Sequence, residues 1–187
     1  MVAAVQNNHR VVTAYGLNDA ELRRRAANLK FVLTDCDGVL TDTGVYYSHN
    51  GEELRRFSVR DGMGVQRLRE CGIETAIISK ENSLAIRKRA EKLVMRQVYL
   101  GVNNKLANLP EILEQNQMEL DHLAYIGDDV NDLEIIDAIG KAGLTAAPSD
   151  AMPQVQAVVH YRTNAPAGHG AFRDFAEWII ELRAGAE

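Results

Sequence analysis

Asp35 and Asp37, one residue apart and just ahead of Gly38, end a short apolar run, and Asp128 and Asp129 follow another. Ser79 ends the run at 73–78, and Lys105 follows the run near 97–100 through Gly101. Carboxylates drawn within a few ångström of one another repel, and one is driven to hold a proton unless a cation separates them. Oxygen donors without Cys or His favour Mg²⁺ over zinc. Mg²⁺ suits sites whose few carboxylates leave room for phosphate, so the acidic residues imply a metal and the metal implies a phosphate ligand.

With phosphate present the roles separate. One carboxylate attacks phosphorus and forms an aspartyl-phosphate, and Asp35, which ends its run, is the candidate. Asp37, two residues on and on the same side, is the candidate acid and base: it donates to the leaving oxygen, then takes a proton from water. The hydroxyl of Ser79 and the ammonium of Lys105 can hold the phosphoryl oxygens. Each residue alone has a plainer reading. Asp-Gly is turn chemistry, Asp128-Asp129 could cap a helix, Lys105 could be a surface lysine and Ser79 a cap. The plain readings fail together if all four segments reach one rim.

The intervening pattern decides whether they do. Residues 19–29 are helical in period, with Asn18 or Asp19 as N-cap, and 31–36 read as a buried strand. A hairpin follows, with Val45 to Tyr47 in one arm, Asn50-Gly51 at the turn and Leu54 to Val59 in the other. Helices at 61–71, 83–93, 105–117 and 129–139 then alternate with strands at 73–78, 97–100, 122–126 and 142–146. A short helix near 151–157, a strand at 158–161 and an amphipathic helix at 170–183 close the chain. Such alternation predicts an α/β fold of Rossmann type, a parallel sheet with helices on both faces plus the hairpin insertion. Ligands then bind outside the carboxyl ends of the strands, where the four segments end. Residues 1–17 read as a flexible extension and 18–187 as one domain, without a cap domain.

Gross composition narrows the partners. The chain has 187 residues, 46% hydrophobic and 25% charged, with net charge −5. No basic run suits nucleic acid, and Arg23, Arg24 and Arg25 read as a solvated helix face. No apolar stretch reaches the roughly 18–20 residues that span a bilayer, and no signal peptide is evident. A cytoplasmic protein without membrane or nucleic-acid partners is expected. Cys36 and Cys71 lack metal-ligand spacing; Cys36 reads as a buried apolar residue and Cys71 as packed at a helix end.

The ordered set Asp35-x-Asp37-Gly-Val-Leu-Thr, Ser79, Lys105 and Gly127-Asp128-Asp129-x-x-Asp132 resembles the four motifs of the haloacid dehalogenase superfamily phosphatases. The resemblance runs from about Leu29 to the end. It implies metal held by Asp35, the backbone carbonyl of Asp37 and Asp128, with Asp129 and Asp132 in support. Gly44-Val45-Tyr46-Tyr47, Gly51-Glu52-Glu53-Leu54, Val59 to Gly64 and Ala167 to Arg173 are similar to the capless sugar-acid phosphatases of that superfamily. Those act on 3-deoxy-D-manno-octulosonate 8-phosphate, in lipopolysaccharide synthesis, or on nine-carbon sialic-acid-type 9-phosphates. The likeness implies a homotetramer built through hairpins, with a neighbour's tail closing each site. Ser79-Lys80-Glu81 departs from the Thr-Gly-Arg common in the octulosonate group, and Glu81 with Lys92 is closer to the nine-carbon relatives. Ala167 replaces one glycine of a usual pair.

Arg60, Glu81 and Arg173 are the candidate substrate contacts. Arg60 either binds an anionic group of the substrate or braces Asp61, and Arg173 equally could bridge subunits. Tyr46 and Tyr47 suit hairpin packing or an interface. His169 is a further substrate candidate and Trp178 a packing anchor. Two rival readings are a non-catalytic tetramerisation domain related to those of sugar-activating cytidylyltransferases, and a phosphomutase, which normally needs a cap to exclude water.

Overall fold

The computed structural model describes residues 15–185, without the side chains of Glu52 and Glu53. Helix α1 (Asp19–Asn28) starts on Asn18, whose side-chain oxygen accepts the Glu21 N–H at 2.9 Å. Strand β1 (Phe31–Thr34) follows, then a hairpin of β2 (Thr41–Ser48) and β3 (Gly51–Phe57). Next come α2 (Val59–Glu70), β4 (Glu74–Ser79), α3 (Leu84–Lys92), β5 (Val98–Leu100) and α4 (Lys105–Asn116). Beyond them lie β6 (Leu123–Ile126), α5 (Leu133–Gly140), β7 (Leu144–Ala147), α6 (Pro153–Gln156), β8 (Tyr161–Arg162) and α7 (Ala171–Ala184).

Six strands pair in parallel in the order β5-β4-β1-β6-β7-β8, as the alternation predicted. The chain steps outward from β1 through β4 to β5, then returns to β6 on the other side of β1. That reversal makes the switch point at which ligands bind in open sheets. Each face of the sheet is apolar because each is covered. Val32 and Ile77 pack with Leu22 of α1, Val65 of α2, Ile86 of α3 and Phe175 of α7. Their neighbours Leu33 and Ile78 point the other way, onto Ile112 of α4, Ile135 of α5 and Val155 of α6. Trp178 anchors α7 by stacking on Tyr161, centroids 4.6 Å apart and planes within 9°.

Several boundaries move. The hairpin reverses at His49 and Asn50, with Ser48 paired to Gly51, one residue earlier than Asn50-Gly51. Gly51 instead opens β3 at φ +107°, a backbone state that glycine adopts without steric penalty. The second arm ends at Phe57, because Ser58 turns to cap α2: its Oγ accepts the N–H of Arg60 at 3.1 Å. The helix expected at 129–139 splits into a 3₁₀ turn at Val130–Asp132 and α5.

The arginine triplet is not wholly solvated. Arg25 is buried and donates to the carbonyl oxygens of Gly140 (2.8 Å), Gly143 (2.9 Å) and Lys141 (3.1 Å), closing the C-terminal end of α5. Helical phase turns it inward while Arg24 stays out with Glu21. Cys36 is buried; Cys71 sits at the end of α2 but is exposed. The extension expected over 1–17 lies outside the described residues as far as residue 14. Packing is already present at Tyr15, whose ring lies 4.6 Å from that of His160. Among the described residues, no helix is long and apolar enough to cross a membrane.

Candidate active site

Asp35 leaves β1 with its N–H bonded to the Ile126 carbonyl of β6 at 3.0 Å, so it stands at the switch point. Its Oδ1 accepts the Cys36 N–H at 2.7 Å, and its Oδ2 lies 2.9 Å from Lys105 Nζ. Lys105 is the first residue of α4, held by the Asn104 cap on Ala107 N, and is almost fully buried. Its ammonium also reaches Asp132 Oδ1 at 2.6 Å and the Tyr125 hydroxyl at 3.1 Å, so all three donors are used.

Asp132 is a strut. Tyr125 donates to its Oδ1 at 2.7 Å, and the N–H of Asp128 to its Oδ2 at 3.0 Å. Those bonds fix the turn that carries Asp128. The Asp128 carboxylate lies against Gly38, where φ is +90° and a Cβ would fall 1.9 Å from Oδ2. Only glycine leaves that space. Among the described residues, Asp128 Oδ1 is buried without a hydrogen-bond partner. Asp129 is exposed and accepts Val130 N at 2.6 Å, so it caps the 3₁₀ turn.

The electrostatics follow. Burial, then the charge of Asp132, pushes Asp35 up to about 7 against the pull of Lys105. Burial and the charges of Asp35, Asp132 and Asp129 push Asp128 up to about 8. Burial would lower Lys105, but Asp35 and Asp132 outweigh it and hold its pKa above the ordinary lysine value. Asp35, Asp128 and Asp132 each offer an oxygen within 4.8 Å of the others. An all-oxygen set with one orphaned buried carboxylate oxygen fits a hard divalent cation. Asp132 is already saturated by Lys105, Tyr125 and backbone N–H groups, which leaves Asp35 and Asp128 as the side-chain ligands the site can offer.

Asp37 faces the same cleft, a space of about 280 Å³ whose walls include Asp35, Ser79, Glu81 and Asp128. Thr41 Oγ1 donates to Asp37 Oδ1 at 3.2 Å, and Arg55 Nη1 lies 3.1 Å from Asp37 Oδ2. Ser79 is buried at the end of β4, its Oγ accepting Glu81 N at 3.1 Å. Glu81 is exposed at the rim, 3.9 Å from Arg55 Nη2. A larger groove, about 480 Å³, opens beside Lys30, Glu74 and Arg96 near the start of β4, away from these acids.

Arg60 and Arg173 do not join the cleft within one chain. Arg60 is exposed at the start of α2, and Asp61 beside it is held by the Gly170 and Arg173 N–H groups at 3.2 and 3.0 Å. Arg173 Nε bonds Glu177 at 2.6 Å. His169 is exposed and bonds the Ala167 carbonyl at 2.8 Å through Nδ1. The tail before α7 docks on the hairpin root: Gly168 N donates to Val39 O, and Arg56 Nη1 donates to Gly168 O, both at 2.9 Å.

Three site residues were not signalled by the sequence reading. Tyr125 looked like one more apolar strand residue, and Thr41 like the tail of a motif. Arg55 is adjacent to Arg56, and only strand register decides which one turns inward.

A parallel sheet with this switch point, and acids, a serine and a lysine at its carboxyl edge, defines a haloacid dehalogenase superfamily fold without a cap. No protein-family model matches the chain. It is 34% identical over 176 residues to the 3-deoxy-D-manno-octulosonate 8-phosphate phosphatase KdsC of Yersinia pestis, covering 94% of this chain and 92% of that one. The 3-deoxy-D-manno-octulosonate 8-phosphate phosphatase of Moraxella catarrhalis, solved with magnesium, phosphate and KDO, superposes with TM-score 0.82. The two are 33% identical, over 89% of this chain and 94% of that one. The cobalt-bound enzyme YrbI of Haemophilus influenzae gives TM-score 0.81 at 34% identity, over 87% and 93%. The chain belongs to the 3-deoxy-D-manno-octulosonate 8-phosphate phosphatase family.

Proposed function

We propose that this chain is a magnesium-dependent phosphomonoesterase that releases phosphate from a 2-keto-3-deoxy sugar acid phosphate, foremost 3-deoxy-D-manno-octulosonate 8-phosphate. The observation that carries it is Asp35, oriented by Lys105 and facing the unpartnered oxygen of Asp128. Asp35, Asp128 and the backbone carbonyl of Asp37 would hold magnesium, which when bound would supply charge neutralisation at the phosphoryl group. Asp35 attacks phosphorus while the bond from phosphorus to the sugar oxygen breaks, and the Asp37 proton passes to that oxygen. Water then attacks phosphorus, Asp37 takes its proton, and the bond to Asp35 breaks to free inorganic phosphate. Ser79 and Lys105 hold phosphoryl oxygens as charge redistributes.

The cleft is open on this chain. Arg60 and Arg173 enter the reading through assembly, in which a homotetramer brings a neighbour's tail over each site. A cytoplasmic enzyme serving lipopolysaccharide synthesis accords with the family, whose Moraxella member was solved with KDO bound.

Glu81 at the rim supports a second reading, a nine-carbon keto-deoxy sugar 9-phosphate as substrate, since its carboxylate can accept hydrogen bonds from sugar hydroxyls, as the resemblance to the nine-carbon relatives implies. Phosphate release from both substrates with Mg²⁺ separates the two. Asp35→Asn should lose about a thousandfold or more in kcat. Turnover that survives Asp35→Asn, or chelation of the metal, overturns the mechanism. Tetramers with no activity, even on p-nitrophenyl phosphate, would revive the scaffold reading.

A further inference from the structure

Arg55 arrives from a part of the chain outside the four motifs. Its side chain is 1% exposed although it sits on a hairpin that leaves Tyr46, Tyr47 and Leu54 open to solvent. A guanidinium is rarely withdrawn from water without anionic partners. Among the described residues they include Asp37, 3.1 Å from Nη1, and Glu81, 3.9 Å from Nη2. Thr41, at the root of the same hairpin, donates to the other oxygen of Asp37 at 3.2 Å. The carboxylate is thus held on both oxygens by β2 and β3, while its backbone belongs to the loop after β1.

We propose that Arg55 is a positioning residue for proton transfer: with Thr41 it fixes the carboxyl plane of Asp37 toward the leaving oxygen of the substrate. This rests on the phosphatase reading above, though not on the identity of the sugar. A free carboxyl rotates about its last side-chain bond, and proton transfer needs donor and acceptor within hydrogen-bond reach. An ion pair on one oxygen and a hydroxyl donating to the other restrict that rotation. The tie also explains why a charged residue occupies the inward register of β3, where an apolar residue would pack at lower desolvation cost.

The test uses leaving-group dependence. A sugar alkoxide needs a proton as it departs; p-nitrophenolate does not. With Mg²⁺-loaded enzyme, kcat/KM is measured for 3-deoxy-D-manno-octulosonate 8-phosphate, for a plain alkyl phosphate lacking a carboxylate, and for p-nitrophenyl phosphate. In Arg55→Met, both alkyl phosphates should lose roughly tenfold more than p-nitrophenyl phosphate does, a part of the total worth of acid catalysis. Arg55→Lys should recover part of the selective loss, and Thr41→Val should show the same pattern more weakly. Equal losses on all three substrates would overturn the proposal, since misfolding or damage to Asp35 would act alike on each. A loss confined to the carboxylate-bearing sugar would also overturn it, by making Arg55 a substrate contact. If Arg55→Met does not fold, Arg55→Lys and Thr41→Val still decide. A wild type that hydrolyses none of the three refutes the phosphatase reading itself, a distinct result.

Discussion

Arg25 and the Asp35–Asp128–Asp132 group are both buried and charged, yet they are neutralised in opposite ways. Arg25 faces the carbonyl oxygens at the end of α5, fixed dipoles that point negative charge toward it, and it also bonds Glu21. Every partner belongs to the chain and stays in place. The acidic group has three carboxylates but one ammonium, Lys105, which reaches only Asp35 and Asp132, and one oxygen of Asp128 is left unpartnered among the described residues. Its balance has to come from outside. A buried charge that is fully answered builds a fold, whereas one left short is a place where something binds.

The largest expected break in this contrast is Asp128→Asn. It removes the unpartnered carboxylate, so activity should fall at least about a hundredfold and Mg²⁺ should no longer raise the melting temperature. Above about pH 8, where Asp128 of the wild type is ionised, the metal-free variant should nonetheless melt higher than metal-free wild type, because a repelling charge is gone. Calorimetry with and without Mg²⁺ reads both effects, and a metal-free variant that melts lower would contradict the electrostatic account.

Arg25→Met should do the reverse. Leaving three carbonyl groups, two of them buried, without their donor should cost about 3 kcal/mol of stability in denaturant melts, with kcat within twofold of wild type. A large fall in kcat at preserved stability would tie α1 to the chemistry and erase the distinction.

The smallest effect is a pH dependence of the metal-free fold. Asp35 and Asp128 titrate near 7 and 8 when folded, above the usual carboxylate value near 4, so the folded chain binds protons that the unfolded chain releases. The stability they contribute is complete below about pH 4 and is lost as pH rises through 7 and 8. In chelator the melting temperature should therefore decline by several degrees between pH 5 and 8. Mg²⁺ should remove most of that decline and protect more at pH 8 than at pH 5. A chelated protein with a flat profile would mean that these carboxylates ionise freely.

Much of this was legible in the sequence because the relevant signals are local. Short apolar strands flanked by helical periods made the sheet readable, and chemistry at strand ends is readable once strands are placed. What escaped depends on register and long-range contact. Arg25 lies one position from a solvated arginine, and only the rotation of α1 against α5 separates them. Tyr125 and Arg55 are ordinary strand residues until β6 and β3 are positioned. The turn shift at His49 arose because Gly51 can sit inside a turn or just after one, and both give Asn-Gly the same appearance. Asp132 was readable as support for the acidic pair, but its saturation by Lys105 and Tyr125 was not.

Neighbouring arginines of β3 face opposite ways: Arg55 holds Asp37, and Arg56 holds the Gly168 carbonyl of the tail. One short ribbon therefore grips two things at once, on opposite sides of its own plane. A tilt of that ribbon, imposed by whatever leans on its exposed tyrosines, would pull on both grips together and turn the Asp37 carboxyl from a distance. The Asp37 carboxylate and the tail thus hang on a single lever, two residues wide.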